Sequence, residues 1–575
     1  MSSGIKKILT CVGEYKTHAI ITPLLVTCGV FAEILLPYLM AKVIDNGVTS
    51  GFGTGYVIKL GAVMFLLVVF ALVCELFAAK FASIASSGFE KNLRREIFSI
   101  AENFSQTNID KYSTSSLVTR MTTDIINVKN AFLGSIRGFI RAPLMLLGAL
   151  IMSLVTKPKL SVVFLFAIPS LLLARYLILR VAHPRFMVLT KCYDELNSET
   201  QENLANIRTI KSFVNEEYAN KKFAISVAKT RDNQISIEKL MSLNMPVLRM
   251  IMDICTIFIL WFGGFMVVDG KLSVGELSSF ITYSVQVVGS LMMVSAIFMM
   301  IIRSRASLDR IAEVLSEKID IVDGKLADED FSDGSIEFKN VCFSYNNSDN
   351  ILENINFKIK SGETIGIIGG TGSGKSSLAK LLIRFYDVSE GQIIIGNNDV
   401  KDYKLDVLRK NVNYVPQNSL LFSGTIKSNL LWGNEFAAED DMIRACKIAG
   451  AHDFIMSFQN KYDTIIGQSG VNVSGGQRQR LCIARAILRS PKILIFDDSL
   501  SAVDTITEGN IKKSLSRDLP NTTKIIIAQK ISSLAGADRI IVLDDGKISG
   551  IGTHQELLEN DIYKEIYELQ SNNIG

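Results

Sequence analysis

The sequence predicts two architectures in one chain, a polytopic α-helical membrane region of six spans followed by a soluble α/β domain. Three observations predict it. Six mostly apolar stretches lie before residue 303, each near the ~20 residues that cross a hydrocarbon core of about 30 Å. From Gly334 onward the long apolar runs give way to short strands alternating with helical segments. Within that second region, Gly369-Gly370-Thr371-Gly372-Ser373-Gly374-Lys375-Ser376 fits the phosphate-binding pattern GxxxxGK[ST].

A chain of 575 residues is too long for one core and implies at least two domains. A net charge of +4 is small for this length and gives no support to a nucleic-acid partner. The eight cysteines are scattered without a CxxC pair, which argues against a disulfide framework or a zinc site. Residues 1–16 carry Lys6, Lys7 and Lys16 around Ile5, Ile8, Leu9 and Val12. That pattern suits a helix lying on the cytoplasmic membrane face better than a cleavable signal.

The spans are expected at 18–40, 57–79, 136–156, 160–182, 246–268 and 274–302. Runs such as Gly61 to Leu76 are apolar on every face, as lipid requires. Short turns join spans 1 and 2 (45–56, without Lys or Arg), spans 3 and 4 (Lys157-Pro158) and spans 5 and 6 (269–273). The two other connections are long and basic, holding Lys91, Arg94, Arg95, Arg120 and Lys129 in one and Arg208, Lys211, Lys221, Lys222, Lys229 and Arg231 in the other. The excess of Lys and Arg places them, and both termini, in the cytoplasm; the two lysines at 157 and 159 run weakly against this. Each long connection reads as two helices joined by a turn, and a helix of ~25 residues extends ~40 Å past the membrane.

A polar, acid-rich linker at 316–333 separates a membrane domain, 1–315, from a nucleotide domain, 334–575. Strands are expected at 336–338 and 357–359, and 364–368 is the strand feeding the phosphate loop. Glycines at 369, 370, 372 and 374 let successive N–H groups face phosphates at a helix start. Lys375 is placed to bridge the terminal phosphates and Ser376 to ligate Mg²⁺, with Ser377 completing the loop's contacts. Further on come Val473-Ser474-Gly475-Gly476-Gln477 and an apolar strand ending in an acid, Ile493-Leu494-Ile495-Phe496-Asp497.

This order resembles the nucleotide-binding domain of an ATP-binding-cassette (ABC) transporter, and the short outer turns with long inner stalks resemble that family's exporter branch. The resemblance covers nearly the whole chain. It implies ATP and Mg²⁺ as cofactors, with Tyr345 stacking on adenine, Gln417 reaching Mg²⁺ and the attacking water, and Asp497 holding Mg²⁺. It also implies head-to-tail pairing of two such domains, so that Ser474, Gly475, Gly476 and Gln477 contact ATP held by a partner chain, while Ser501-Ala502-Val503-Asp504 lets the two sites sense each other. The stalk turns at 111–119 and 212–218 would dock on the nucleotide domains. Two catalytic positions depart from the family pattern: where Glu is usual stands Asp498, and where His is usual stands Gln529. Asp498 is one methylene short for polarising water, and Gln529 carries neither proton nor charge.

The expectation is therefore an ATPase-translocase of the cytoplasmic membrane that exports hydrophobic or amphipathic compounds. This chain would be one half of a heterodimer with a second, different half-transporter, its own site binding ATP but impaired in hydrolysis. The alternatives are a homodimeric lipid or peptide exporter with slow ATPase and a non-transporting ATP-gated regulator. Glu33, Glu75, Arg137, Arg141, Arg175, Arg249 and Asp253 fall in or near apolar runs. The arginines can snorkel near span ends, and Arg249 with Asp253 forms an i,i+4 pair. Glu33 and Glu75 are left as the candidates for contacting a cationic substrate.

Overall fold

Among the described residues, six long helices carry the apolar windows: Gly13–Thr49, Thr54–Glu102, Thr114–Thr156, Pro158–Ala205, Glu216–Val268 and Val274–Ser316. The computed structural model describes residues 2–345 and 349–571. All six expected spans lie inside these helices, each of which runs on past its apolar window. The chain divides into two compact units. One comprises the chain up to Glu102 together with Ser115–Glu317, and the other comprises Asn103–Thr114 with the chain from Lys318 onward.

In the membrane unit, small residues set the helix spacing. Ala78, Ala82 and Ala85 line one buried face of the second span, and a side chain added at Gly29 would meet Cys74. Gly138 and Gly148 receive Ile297 and Ile34. Such close approach is what drives helix association where lipid is as apolar as leucine. Large apolar residues such as Phe65, Leu66, Leu165 and Phe166 point outward and are about two-thirds exposed, as a lipid-facing surface must be. The second pair of stalks is zipped by polar bonds: Tyr193 donates to Gln234 (2.6 Å), Lys229 pairs with Glu195 (2.6 Å), and Ser226 donates to Glu199 (2.5 Å).

At the N-terminus the helix Ser2–Thr10 buries Ile8 but leaves Leu9 largely exposed. The helix packs on the end of the sixth span, where Gly4 meets Ala312 and Lys7 donates to the Leu315 carbonyl at 2.8 Å.

The second unit is built on two main sheets. The strands are β1 (Ile336–Phe343), β2 (Leu352–Ile359), β3 (Thr364–Gly369), β4 (Glu390–Ile395), β5 (Asn398–Asp399), β6 (Val412–Val415), β7 (Gly424–Thr425), β8 (Ile465–Ile466), β9 (Ile493–Asp497), β10 (Thr523–Ile527), β11 (Arg539–Asp544) and β12 (Lys547–Gly552). An antiparallel sheet runs β2-β1-β4-β5, a six-stranded sheet runs β12-β11-β3-β10-β9-β6, and β7 pairs with β8. Within the larger sheet, β11, β3, β10, β9 and β6 are parallel and β12 closes the edge antiparallel. β9 and β10 are buried at every residue, which explains why β9 reads as a continuous apolar run up to Asp497, and β10 as one from Ile525 to Ile527, rather than as alternating patterns. The polar segment after the sixth span lies on this unit, anchored by buried Ile321 and Phe331 and by the Leu326–Tyr403 bridge.

Candidate functional site

β3 delivers the chain into the glycine-rich loop at Gly369, and the helix Lys375–Leu382 leaves it. Two turns of the loop require glycine. Gly372 and Gly374 have φ of +86° and +94°, and a Cβ on Gly374 would lie 2.6 Å from Leu352. Lys375 folds back on the loop, its Nζ donating to the carbonyls of Gly369 (2.9 Å) and Gly370 (2.6 Å) and to Ser373 Oγ (3.2 Å). Burial pushes its pKa below the ordinary lysine value, against the pull of Asp497 and Asp498.

Asp497, at the buried end of β9, accepts from Ser376 Oγ (2.9 Å) on one oxygen and from Tyr414 Oη (2.7 Å) on the other. The hydroxyl and carboxylate expected to share a metal therefore already face each other. Asp498 turns back sharply, with φ of +48°, a conformation costly for a residue with a Cβ. Its backbone N–H is held by the Ile527 carbonyl (2.9 Å). One carboxylate oxygen, Oδ2, receives two neutral amides: Gln417 Nε2 at 3.2 Å and Gln529 Nε2 at 3.0 Å. Partial burial, followed by the negative charge of Asp497, raises the Asp498 pKa above the usual carboxylate value. The three residues expected around the attacking water are thus brought together on one oxygen atom.

Tyr345 lies beside the loop, its hydroxyl 3.0 Å from Ser377 Oγ and its ring edge-on to Phe343 and Tyr386. Ser474 caps the helix Gly475–Leu488 in a reciprocal box, accepting from Gln477 N (3.3 Å) while Gln477 Oε1 accepts from Ser474 N (2.9 Å). A Cβ on Gly475 would meet nothing within 4 Å, so this helix start is open to a ligand. Asp504 caps the next helix, Thr505–Asp518, through Thr507 N (2.9 Å).

Several contributors escape the sequence reading. Tyr414 shows no motif of its own, although its place three residues before Gln417 on β6 points it toward β9. Gln570, in the helix Asp561–Ser571, grips both sides of the Gln529 turn: it donates to the Gln529 carbonyl (2.8 Å) and accepts from Ile531 N (2.9 Å). In the membrane unit Glu33 and Glu75 are not open to a cation. Arg141 reaches both carboxylates (2.8 Å each), and Arg137 closes on Glu75. Two acids and two arginines on three spans make a neutral cluster, so the expectation of a cation contact at these glutamates gives way to internal pairing. Arg249 and Asp253 approach to 3.9 Å on an exposed face.

Fold and site together define an integral membrane protein with a phosphate-loop nucleotide domain in the same chain. The profile described as "ABC transporter transmembrane region" matches residues 19–291, and that described as "ABC transporter" matches residues 352–501. The chain is 38% identical over 569 residues to the "Uncharacterized ABC transporter ATP-binding protein YfiB" of Bacillus subtilis (strain 168), covering 98% of both chains. It is 32% identical to the "Uncharacterized ABC transporter ATP-binding protein Rv1273c" of Mycobacterium tuberculosis (strain ATCC 25618 / H37Rv), covering 94% of both. A solved structure, "Structure of a bacterial Atm1-family ABC exporter with ATP bound", superposes with a TM-score of 0.82 at 24% identity, covering 97% of this chain and 99% of that one. The chain belongs to the ABC transporter family. It is a half-transporter of exporter fold: a multi-pass membrane protein whose cytoplasmic ATPase domain drives transport.

Proposed function

We propose that this chain is the hydrolysis-impaired half of a heterodimeric exporter of hydrophobic or amphipathic compounds. The observation that carries the reading is the single oxygen of Asp498 held by two uncharged amides. A shortened carboxylate, with Gln529 where a proton-carrying group is usual, is poorly equipped to activate water, while nothing around the phosphate loop is missing for binding. Lys375 and the loop N–H groups would hold the phosphates of ATP, and Ser376, Asp497 and Gln417 would hold Mg²⁺. The bound metal would neutralise charge building on the phosphates. Asp498 would orient the attacking water from an off-optimal distance. The open start of the helix Gly475–Leu488 would complete the second chain's site.

A need for a second chain is supported by two exposed apolar patches. The membrane unit presents Phe213, Val214 and Tyr218 at the tip of its second stalk pair, and the nucleotide unit presents Leu420, Phe422, Trp432 and Phe436. Native mass spectrometry of the tagged chain purified from its host tests the reading. A complex with one different half-transporter is expected; two copies of this chain would overturn the heterodimer and leave a slow homodimer.

A further inference from the structure

We propose that Asp124 and Arg310 are a positioning pair that couples the two units, fixing the third and sixth spans in register so that they respond to ATP as one body. This goes beyond the half-site reading and does not depend on it. The backbone passes between the units three times, after Glu102, after Thr114 and after Glu317. Two of these crossings lead straight into the stalks of the third and sixth spans.

On the nucleotide side the two strands of chain are already joined. Asn108, in the helix Gln106–Tyr112, donates to the Lys318 carbonyl at 3.2 Å, tying that helix to the segment following the sixth span. Its neighbour Asp110 accepts from Tyr386 at 2.5 Å, and Tyr386 stands edge-on to Tyr345 beside the phosphate loop. Within the nucleotide unit a contact path thus runs from the loop to the two segments whose chain continues into the stalks.

On the membrane side the stalks are joined again, by Asp124. Its carboxylate is buried and takes both forks of Arg310, Nε at 2.8 Å and Nη2 at 2.5 Å, together with the Ser307 hydroxyl at 2.8 Å. Asn127 donates to Ser307 (3.1 Å), and Arg120 donates to the Arg310 carbonyl (2.8 Å) while pairing with Glu313 (3.0 Å). Asp124 ends a π-helical turn, Arg120–Asp124, and such turns re-aim a side chain within a helix and recur at functional sites. Further along the same two helices, Gly134 and Gly138 leave no room for a side chain against Met300 and Ile297.

Apolar packing alone resists separation but tolerates sliding. A two-point guanidinium–carboxylate pair fixes direction as well as distance, and setting register is the best-attested use of buried charge pairing; here the carboxylate is buried and the guanidinium is half exposed. Asp124 and Arg310 touch no nucleotide; they act by holding the element through which the nucleotide unit is connected.

The test uses the full chain in its purified complex, reconstituted in lipid vesicles. Fluorescent non-canonical residues at Ser50 and Lys271 report the distance between two of the short turns as Mg-ATP with vanadate is titrated, and ATP hydrolysis is titrated in parallel. In the wild type the half-maximal ATP concentrations of the two readouts coincide. In Arg310→Lys, which keeps the charge and loses the fork, the distance change is expected to need at least about fivefold more ATP while the hydrolysis midpoint stays within about twofold. The exchange Asp124→Arg with Arg310→Asp brings the midpoints together again. Coincident midpoints in Arg310→Lys overturn the proposal, even where yield or thermal stability falls, because a merely structural pair would do only that. A folded exchange variant whose midpoints stay apart overturns it as well.

Discussion

Replacing Asp498 by Glu should raise hydrolysis at this chain's own site. The carboxylate is anchored at a fixed backbone turn, and its Oδ2 accepts from amides at 3.0 and 3.2 Å. One added methylene extends reach by roughly 1 Å, and a misplacement of that size costs ~100-fold, or about 2.7 kcal/mol. Adding Gln529→His exchanges a neutral amide for a charge-assisted donor, worth roughly 1 kcal/mol more, or about fivefold. The two gains should fall short of their product, because both groups meet on one oxygen. The assay is steady-state ATP hydrolysis by the assembled complex carrying Gly475→Asp. That change leaves room for its Cβ, puts a repelling carboxylate at the open helix start, and on the proposed reading would silence the site that this chain completes for a second chain. An increase below about twofold in Asp498→Glu would refute the geometric argument and leave another cause for any slow turnover.

Three further outcomes are expected. Because burial and Asp497 raise the Asp498 pKa, the folded state holds that proton more tightly than the unfolded chain. The stabilisation by protonated Asp498 is therefore present at low pH and is lost as pH rises through the raised pKa; Asp498→Asn should melt higher than wild type at pH 8, with the gap closing as pH falls toward the ordinary carboxylate value, and a gap that does not change with pH would contradict this. Gln570→Ala removes both bonds that hold the Gln529 turn and should slow ATP hydrolysis in the same background several-fold, at a stability cost of about 1–2 kcal/mol by denaturant titration. Arg141→Ala leaves Glu33 unpaired and Glu75 with only Arg137; breaking such pairs costs ~3–5 kcal/mol when fully buried, and roughly half that here, where Arg141 is 24% exposed. A clear drop in melting temperature in detergent is expected, and an unchanged melting point would return these carboxylates to consideration as ligand contacts.

What the sequence made legible follows from what is written locally. Six spans announce themselves because every residue facing lipid must be apolar, and the phosphate loop because its backbone needs glycine at positions 372 and 374. The strand β9 was readable as an apolar run ending in an acid because both sheet faces are covered. Contacts across long chain separations were not readable. Glu33 and Arg141 lie 108 positions apart, Asp124 and Arg310 lie 186 apart, and no local pattern pairs them. A charge in an apolar run signals either a ligand or a partner, and only three dimensions decide which. Gln570 was hidden for a different reason: a glutamine near the end of a polar helix looks like any solvated residue until its helix is laid against the Gln529 turn.

The pattern of alteration also bears on why a weakened site would persist. On the proposed reading, the departures at Asp498 and Gln529 would act on the water, while the groups proposed to grip nucleotide keep their contacts: Lys375 on its loop, Ser376 against Asp497, and Tyr345 at Ser377. The helix start at Ser474, which on the same reading would serve a nucleotide held by a second chain, is capped. Loss of function by drift would have no reason to spare both the binding groups and the outward-facing signature while striking two residues that share one oxygen atom. Retained binding with slowed turnover, as proposed, would instead describe a site whose occupancy matters more than its chemistry, because a ligand that stays bound keeps biasing a two-state equilibrium toward the closed form.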